Sequence, residues 1–225
     1  MKTGIIVAAA MLLGGASLAG QTRPFVQAVG QGSVAIKPDQ AKVSFSVVTQ
    51  AQSAQTASTQ NAAQVQTLLA ALTGLLGPNA DIRTVSYSLS PNYNYPQNQP
   101  PVLTGYTASN TVQVTTQDLA NLGKVIDTGI QAGATQVQGL SFGLVNDQDA
   151  RSQALKLATA QAKTYADAMA SGLGMHTGAA LIISQGYSAS PTPVLGGTAA
   201  APTTPVLSGT LTIEATVTLD VALVP

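Results

Sequence analysis

The sequence predicts an α+β protein in which long helices pack on a mixed, largely antiparallel sheet. Some segments alternate apolar and polar residues with a period of two, and others repeat with a period near 3.6. Directly joined strands favour antiparallel pairs, whereas strand-helix-strand connections favour crossovers. The predicted order is strand, strand, helix, strand, strand, helix, strand, helix, strand, strand. It contains a ferredoxin-like β-α-β-β-α-β unit.

Residues 1–19 have the three-part form of a secretory signal peptide, with Lys2 before an apolar run and small residues at Ser17 and Ala19. Residues 20–25 are then an N-terminal tail, and residues 26–224 form the folded domain. An uncleaved N-terminal anchor is the alternative. Because no later apolar run approaches ~20 residues, the mature chain is predicted to lack a transmembrane segment.

The composition limits the classes of partner and of chemistry. There is no cysteine, so neither disulfides nor a lipid-modified cysteine is available. Charged residues make up 8% of the chain, and removing Lys2 with the signal leaves a net charge of −1. With so few charges and no excess of basic residues, the sequence does not predict a nucleic-acid-binding surface. A weakly charged surface favours self-association, although a compositional habit of the lineage is the simpler explanation.

The first half of the domain begins with two strands around a turn at residues 37–39 and continues with a long helix at 53–78, which ends at Gly77-Pro78. The next strand places Val85, Tyr87 and Leu89 on one face. A turn-rich connection, residues 92–101, then leads to the following strand as a long, exposed hairpin loop. Tyr93 and Tyr95 in this loop are tentative contact residues, with a plain mobile loop as the alternative.

The strand at residues 103–116 carries an amide, Asn110, in an otherwise apolar row. The other members of that row are Tyr106, Ala108, Val112 and Val114. Asn110 could contact a ligand, form structural hydrogen bonds or mark a bulge. A buried amide without partners costs ~1–3 kcal/mol, so Asn110 is predicted to bond to neighbouring backbone or to be displaced by a bulge. Asn110→Ala is then expected to lower stability more than it alters any binding.

The second half of the domain holds two helices and three strands. The elements are a helix at 118–134, a strand at 135–145, a helix at 146–174, a strand at 177–187, a low-complexity loop at 188–207 and a strand at 208–224. Asp118 is placed in the first turn of its helix. Asn146 or Asp147 is predicted to cap the next helix, and Gly172 or Gly174 to close it.

The candidate chemical groups all have simple structural explanations. His176 is the single histidine, and no GxSxG stretch accompanies it. Asp147 and Asp149 open a helix, where acids are favoured by the helix dipole. The glycines of residues 29–34 lack the following helix and lysine of a phosphate-binding loop. The sequence therefore predicts no catalytic, cofactor-binding or metal site.

Four segments carry a resemblance to a known family. They are VGQGSVAIKPDQAKVSFSV (29–47), GYTASNTVQVTTQDLANLGKVIDTGIQAGA (105–134), LSFGLVNDQDARSQALKLATAQAKTYADAMASGLG (140–174) and TPVLSGTLTIEATVTLDVALV (204–224). Together they resemble the SIMPL-domain, YggE-like family of bacterial periplasmic proteins across residues 26–224. Gly105, Tyr106 and Asn110 match its structural motif. The resemblance implies an α+β envelope protein, often ring-forming and loosely linked to stress tolerance, with no established activity, cofactor or site residues.

The resulting functional hypothesis is an exported protein of the periplasm or cell envelope, with secretion as an alternative. It is predicted to lack enzymatic activity and cofactors, to form a homo-oligomer and to act structurally or in stress protection. The competing hypothesis is a ligand- or glycan-binding module that uses residues 92–101. A hydrolase that depends on His176 is the least supported.

Overall fold

The computed structural model describes residues 24–192 and 204–225. Its elements are β1 (Phe25–Ile36), β2 (Gln40–Ala51), α1 (Ala54–Leu76), β3 (Asp81–Asn94), β4 (Val102–Thr116), α2 (Leu122–Gln131), β5 (Gln136–Gly143), α3 (Gln148–Gly172), β6 (His176–Thr192) and β7 (Thr210–Val224). This order confirms the predicted one. The predicted signal peptide lies outside the described residues, and β6 extends into residues 188–192, the start of the predicted loop.

The strands form two antiparallel sheets, with the orders β1-β7-β6 and β3-β4-β2-β5. The α+β class is confirmed, and β2-α1-β3-β4-α2-β5 has the ferredoxin-like arrangement. Neighbouring strands in both sheets are antiparallel, whereas the sequence predicted some parallel pairs. The reason is that each crossover skips a strand: β4 separates β2 from β3, and β2 separates β4 from β5.

The four-stranded unit consists of β2 to β5 with α1 and α2 on one face. Its core contains Ala41, Val43, Phe45, Val47, Val65, Leu68, Leu72, Val112, Val114, Leu122, Val125 and Ile126. The buried residues of α1 recur every three or four positions, which is the period of one helix face. Ser53 caps this helix by accepting the Thr56 N–H at 3.1 Å, and Gly77, with φ of 90°, ends it.

The three-stranded unit consists of β1, β7 and β6 with α3 on one face. The helix buries an alanine at every fourth position: Ala150, Ala154, Ala158, Ala162, Ala166 and Ala170. Beneath them, a Cβ atom on Gly30 would overlap the Ala158 carbonyl oxygen and the Ala162 amide nitrogen. The backbones of α3 and β1 are therefore in direct contact. On β7, alternate residues from Leu211 to Val221 are buried, and Leu223 near the end of the strand is half-buried.

Helix boundaries follow the polar residues around them. Asn146, one of the two predicted caps of α3, accepts the helix's first backbone N–H at 3.0 Å. Gly174, with φ of 67°, closes the same helix. Asp118 precedes α2 instead of lying in its first turn, and its carboxylate accepts the backbone N–H of Asn121 at 3.2 Å. It therefore stabilises the approach to the helix.

Polar contacts join the two units where the chain passes between them. The Asp39 N–H donates to the Gly143 carbonyl at 3.1 Å, and the Asp39 carboxylate accepts the Val145 N–H at 2.8 Å. Further along the chain, Thr204 hydrogen-bonds to Asp127 of α2. The β1–β2 turn, the β5–α3 connection and the approach to β7 are thus fixed against the four-stranded unit.

Candidate interaction surface

The β3–β4 hairpin projects beyond the rest of its sheet. β2 ends opposite Tyr106, so the pairs from Asn92–Gly105 to Asn94–Val102 form a two-stranded ribbon. At its end, the Tyr93 and Tyr95 rings lie 6.4 Å apart and are 47% and 74% exposed. Val102 and Leu103 are exposed beside them. We call these four residues the hairpin tip, and it brings the two predicted contact tyrosines together.

The Gly105-Tyr106 part of the family motif lies where the ribbon leaves the sheet. Gly105 has φ of 150°, and a Cβ atom there would lie 2.7 Å from the Ala51 carbonyl oxygen. The ladder is irregular at the same place, between Asn92 and Tyr93. Only glycine combines this conformation with such a close approach, so Gly105 positions the ribbon.

Asn110 does not have the surroundings that the sequence predicts. It pairs in register between Val47 and Tyr87, without a bulge, and its Oδ1 is buried with no hydrogen-bond partner among the described residues. The prediction that Asn110 bonds to backbone or is displaced by a bulge is therefore wrong. The irregularity lies on the neighbouring strand, where Val85 is the extra residue between Thr84 and Ser86. This bulge also breaks the predicted shared face of Val85 and Tyr87.

The amide with a structural role is Asn61 of α1, which the sequence analysis did not single out. It is fully buried, and its Nδ2 donates to the Val47 carbonyl at 2.8 Å and the Ala108 carbonyl at 3.3 Å. These bonds attach α1 to β2 and β4 together. The available signal was its position four residues after Ala57 and four before Val65, on the buried face of the helix.

Strand β6 forms an exposed edge of the three-stranded sheet. It pairs with β7 on one side, and no described strand lies on the other. The consecutive residues Leu181, Ile182 and Ile183 are 46%, 61% and 60% exposed. Leu181 is the extra residue of a bulge, whereas Ile182 and Ile183 pair in register with Asp220 and Leu219. Because successive side chains alternate between faces, Ile182 and Ile183 make this edge aliphatic on both faces. Such a run is typical of a buried strand, so the sequence alone did not reveal its exposure.

Polar contacts on α3 hold this edge strand in place. The Arg151 guanidinium lies over the Tyr187 ring, 4.3 Å from its centroid, and pairs with Asp147, whose hydrogen bond raises the pKa of Arg151. Toward the other end of the helix, the Asp167 carboxylate accepts hydrogen bonds from Lys163 at 2.8 Å and Thr177 at 2.6 Å. The Lys163 bond, followed by the Thr177 bond, lowers the pKa of Asp167.

The structure does not bring the candidate catalytic residues together. His176 is exposed at the start of β6, whereas Asp147 and Asp149 lie at the other end of α3. The 25 residues of that helix separate them by about 37 Å. Within residues 24–192 and 204–225, no group of three or more acidic or histidine side chains could hold a metal ion. No helix in this same part of the chain is long and apolar enough to cross a membrane.

Comparison with known proteins places the chain in a family. Residues 26–221 match the model of the SIMPL family, described as a protein of unknown function (DUF541). The chain is 34% identical over 159 residues to the 26 kDa periplasmic immunogenic protein of Brucella melitensis, covering 66% of this chain and 63% of that protein. It is 28% identical over 172 residues to the uncharacterised protein YggE of Escherichia coli K12, covering 74% and 70%.

The uncharacterised protein YggE of Edwardsiella ictaluri is 29% identical over 188 residues, covering 79% of this chain and 77% of that protein. The chain spans 63%, just under two thirds, of the length of the Brucella relative. Because the family model matches most of the residues from β1 to β7, this chain belongs to the SIMPL family.

Proposed function

We propose that this protein is exported to the periplasm, has no enzymatic activity and self-associates into a homo-oligomer with a structural or stress-protective role in the cell envelope. The predicted signal peptide and the periplasmic naming of the Brucella relative support the location. The exposed outer edge of β6 carries the argument for self-association.

An unprotected edge strand is a template for pairing with another chain. Proteins normally shorten such strands, place charges or bulges on them or cover them. β6 is 17 residues long and has no Lys, Arg, Asp or Glu, and its two irregularities lie before Ile182, so the strand pairs regularly with β7 from Ile182 onward. Ile182 and Ile183 would both be withdrawn from water if a second β6 paired with it. Antiparallel pairing of two identical edges would give a two-fold symmetric dimer.

Light scattering coupled to size-exclusion chromatography tests this proposal on residues 20–225 at micromolar concentration. The wild-type chain should be an oligomer, and Ile182→Lys should dissociate it because a lysine would be placed in the new sheet. The matched control is Val85→Lys, since Val85 is a comparably exposed aliphatic residue on the edge strand of the other sheet. A monomeric wild-type chain would overturn the proposal. Equal dissociation of both variants would show that β6 does not form the contact between subunits.

A second candidate function is binding of a ligand or glycan by the hairpin tip. The observation that favours it is the pair of exposed tyrosine rings, 6.4 Å apart, on a projecting ribbon. Tyrosine combines an apolar ring with a polar hydroxyl, which suits the mixed surface of a sugar.

Replacing Tyr93 and Tyr95 by alanine tests this second function. The double variant should lose retention on purified cell-wall sacculi while its melting temperature changes little, because both rings are exposed. Tyr165→Ala is the control, since Tyr165 is a comparably exposed tyrosine on α3. Unchanged retention of the double variant would reject binding through the hairpin tip.

A further inference from the structure

The sequence contains one short motif twice. Residues 192–198 read TPVLGGT and residues 204–210 read TPVLSGT, so the two copies differ at a single position. The second copy lies in the described part of the chain, where it approaches β7 across the surface of the four-stranded unit. The second copy therefore shows how this unit can hold the motif.

The second copy is held through its threonine and its valine. The Thr204 hydroxyl donates to Asp127 Oδ1 at 2.6 Å, and the Thr204 N–H donates to Asp127 Oδ2 at 3.3 Å. Val206 packs against the buried core of the four-stranded unit, which includes Ile126. Asp127 thus uses both carboxylate oxygens on one residue of the motif.

An open groove lies between this segment and β5. Its volume is about 510 Å³, and its walls include Val137 and Leu140 on one side and Val206 and Leu207 on the other. Among the described residues, no charged side chain lines it. β5 pairs with β2 only, and no described strand lies along its outer edge. An unpaired strand edge beside an apolar groove suits an extended, uncharged, aliphatic peptide that adds as a further strand.

We propose that this groove is a peptide-binding site and that its occupant is the first copy of the motif, residues 192–195, presented by a second molecule of this chain. Each chain has two copies of the motif and one Asp127, whose carboxylate contacts Thr204 of the second copy. The other copy has the same aliphatic, uncharged chemistry as the groove walls. Exchange of a matching element between identical chains is a low-cost route to assembly. With the predicted signal peptide removed, the chain has a formal net charge of −1, so repulsion between its copies is weak.

This inference rests on the proposed self-association, but it concerns a surface different from the β6 edge. Its first test uses the amidated peptide TPVLGGT with a fluorescein label at its N-terminus. Residues 20–225 are added at concentrations below those at which the chain assembles, and binding is measured by fluorescence anisotropy. Binding should saturate, and Leu140→Glu should weaken it at least tenfold because a carboxylate would enter the apolar groove. Val85→Glu is the control, since Val85 is exposed on the opposite edge strand of the same sheet.

If the peptide binds neither the wild type nor the Val194→Ser/Leu195→Ser chain, the groove is not a peptide-binding site and the proposal is wrong. The chain's own segment is the alternative occupant. In that case the wild type would exclude the peptide even at concentrations where it is monomeric, whereas a chain with Val194→Ser and Leu195→Ser would bind it. This outcome would overturn the assignment to a second molecule.

A mixing experiment separates this inference from the proposed function. Leu140→Glu removes the groove and keeps the motif, whereas the Val194→Ser/Leu195→Ser chain removes the motif and keeps the groove. Each variant alone should assemble less than the wild type, and the mixture should form heterodimers detectable by native mass spectrometry. If the wild type assembles and neither variant changes that assembly, the inference is wrong while the proposed function stands. A monomeric wild type contradicts both.

Discussion

The two units of this protein build the same layered arrangement, a helix on an antiparallel sheet, with opposite distributions of side-chain volume. In the three-stranded unit the helix contributes alanines and the strand contributes glycine, so Gly30 touches the backbone of α3. In the four-stranded unit the strand contributes a large ring, and the glycine is on the helix: a Cβ atom on Gly129 would overlap the Phe45 ring. Where the small residue lies decides how closely each helix approaches.

This difference teaches that the two cores should fail in different ways. Close-packed interiors lose stability when volume is removed and also when volume is added. The four-stranded core depends on the volume of residues such as Phe45 and Leu68. The contact between α3 and β1 depends on the absence of a side chain at Gly30. Truncation of a side chain should therefore destabilise the four-stranded unit most, and enlargement of a side chain should destabilise the three-stranded unit most.

The largest effect is expected from truncation in the four-stranded core. Leu68 is fully buried, so Leu68→Ala should lower the free energy of unfolding by about 2–5 kcal/mol because it leaves a cavity. Urea denaturation measures this change. Leu157→Ala is the control, since Leu157 on α3 is exposed. Equal losses for the two variants would mean that the buried volume of Leu68 does not stabilise the four-stranded core.

Enlargement in the three-stranded unit should come next. Gly30→Ala adds one methyl group where only the backbone of α3 is available, and overpacking of this kind costs about 1–3 kcal/mol. Gly186→Ala on β6 is the matched control, because a Cβ atom there meets nothing within 4 Å. Urea denaturation of both variants gives the comparison. If Gly30→Ala lowers the free energy of unfolding no more than Gly186→Ala does, α3 can move away from the sheet to accommodate the methyl group.

Much of this architecture could be predicted from the sequence because it depends on local periodicity. The order of helices and strands follows from spacing alone, and β7 shows its alternation from Leu211 onward. The contact of Gly30 with Ala158 could not be predicted in the same way. It joins residues more than a hundred positions apart, and no local pattern specifies which helix covers which strand.

The candidate surfaces were less predictable because exposure depends on tertiary neighbours. The aliphatic run at Leu181–Ile183 has the pattern of a buried strand, but β6 is at the edge of its sheet. The bulge at Val85 shifts the faces of β3 without a glycine to mark it. Tyr93 and Tyr95 were found because turn residues surround them. The repeated TPVL motif was readable in the sequence, but its meaning came from the contact between Thr204 and Asp127.

A smaller effect should distinguish the two amides of the four-stranded unit. Asn61→Ala removes hydrogen bonds to the Val47 and Ala108 carbonyls, which at ~0.5–1.5 kcal/mol per bond contribute about 1–3 kcal/mol together. It also removes a buried Oδ1 that, like that of Asn110, has no partner among the described residues, so the net cost should be about 1–2 kcal/mol. Asn110→Ala should cost less than about 1 kcal/mol, since the buried Oδ1 of Asn110 has no partner to lose. Thermal and urea unfolding of both variants provide the measurement. If Asn110→Ala lowers the free energy of unfolding more than Asn61→Ala does, Asn110 stabilises the fold as the sequence predicted.

The smallest effect should be the pH dependence of the polar contact that fastens β6 to α3. Hydrogen bonds from Lys163 and Thr177 lower the pKa of Asp167 below its ordinary value of 3.8. A carboxyl whose pKa is lower in the folded state stabilises the fold above its unfolded pKa, and this contribution disappears as the pH falls through the folded pKa. Asp167→Asn should therefore be less stable than the wild type at neutral pH, and the gap should narrow as the pH is lowered below 3.8.

Urea unfolding at neutral and acidic pH measures this gap, and salt should reduce it at neutral pH because Asp167 and Lys163 are exposed to solvent. Asp149→Asn is the control for the loss of one negative charge, since Asp149 is an exposed acid in the first turn of the same helix. A gap for Asp167→Asn that stays constant over the whole pH range would mean that the side chain stabilises β6 through its shape and neutral hydrogen bonding. In that case the three-stranded unit would rely on packing at its edge as well as at its centre.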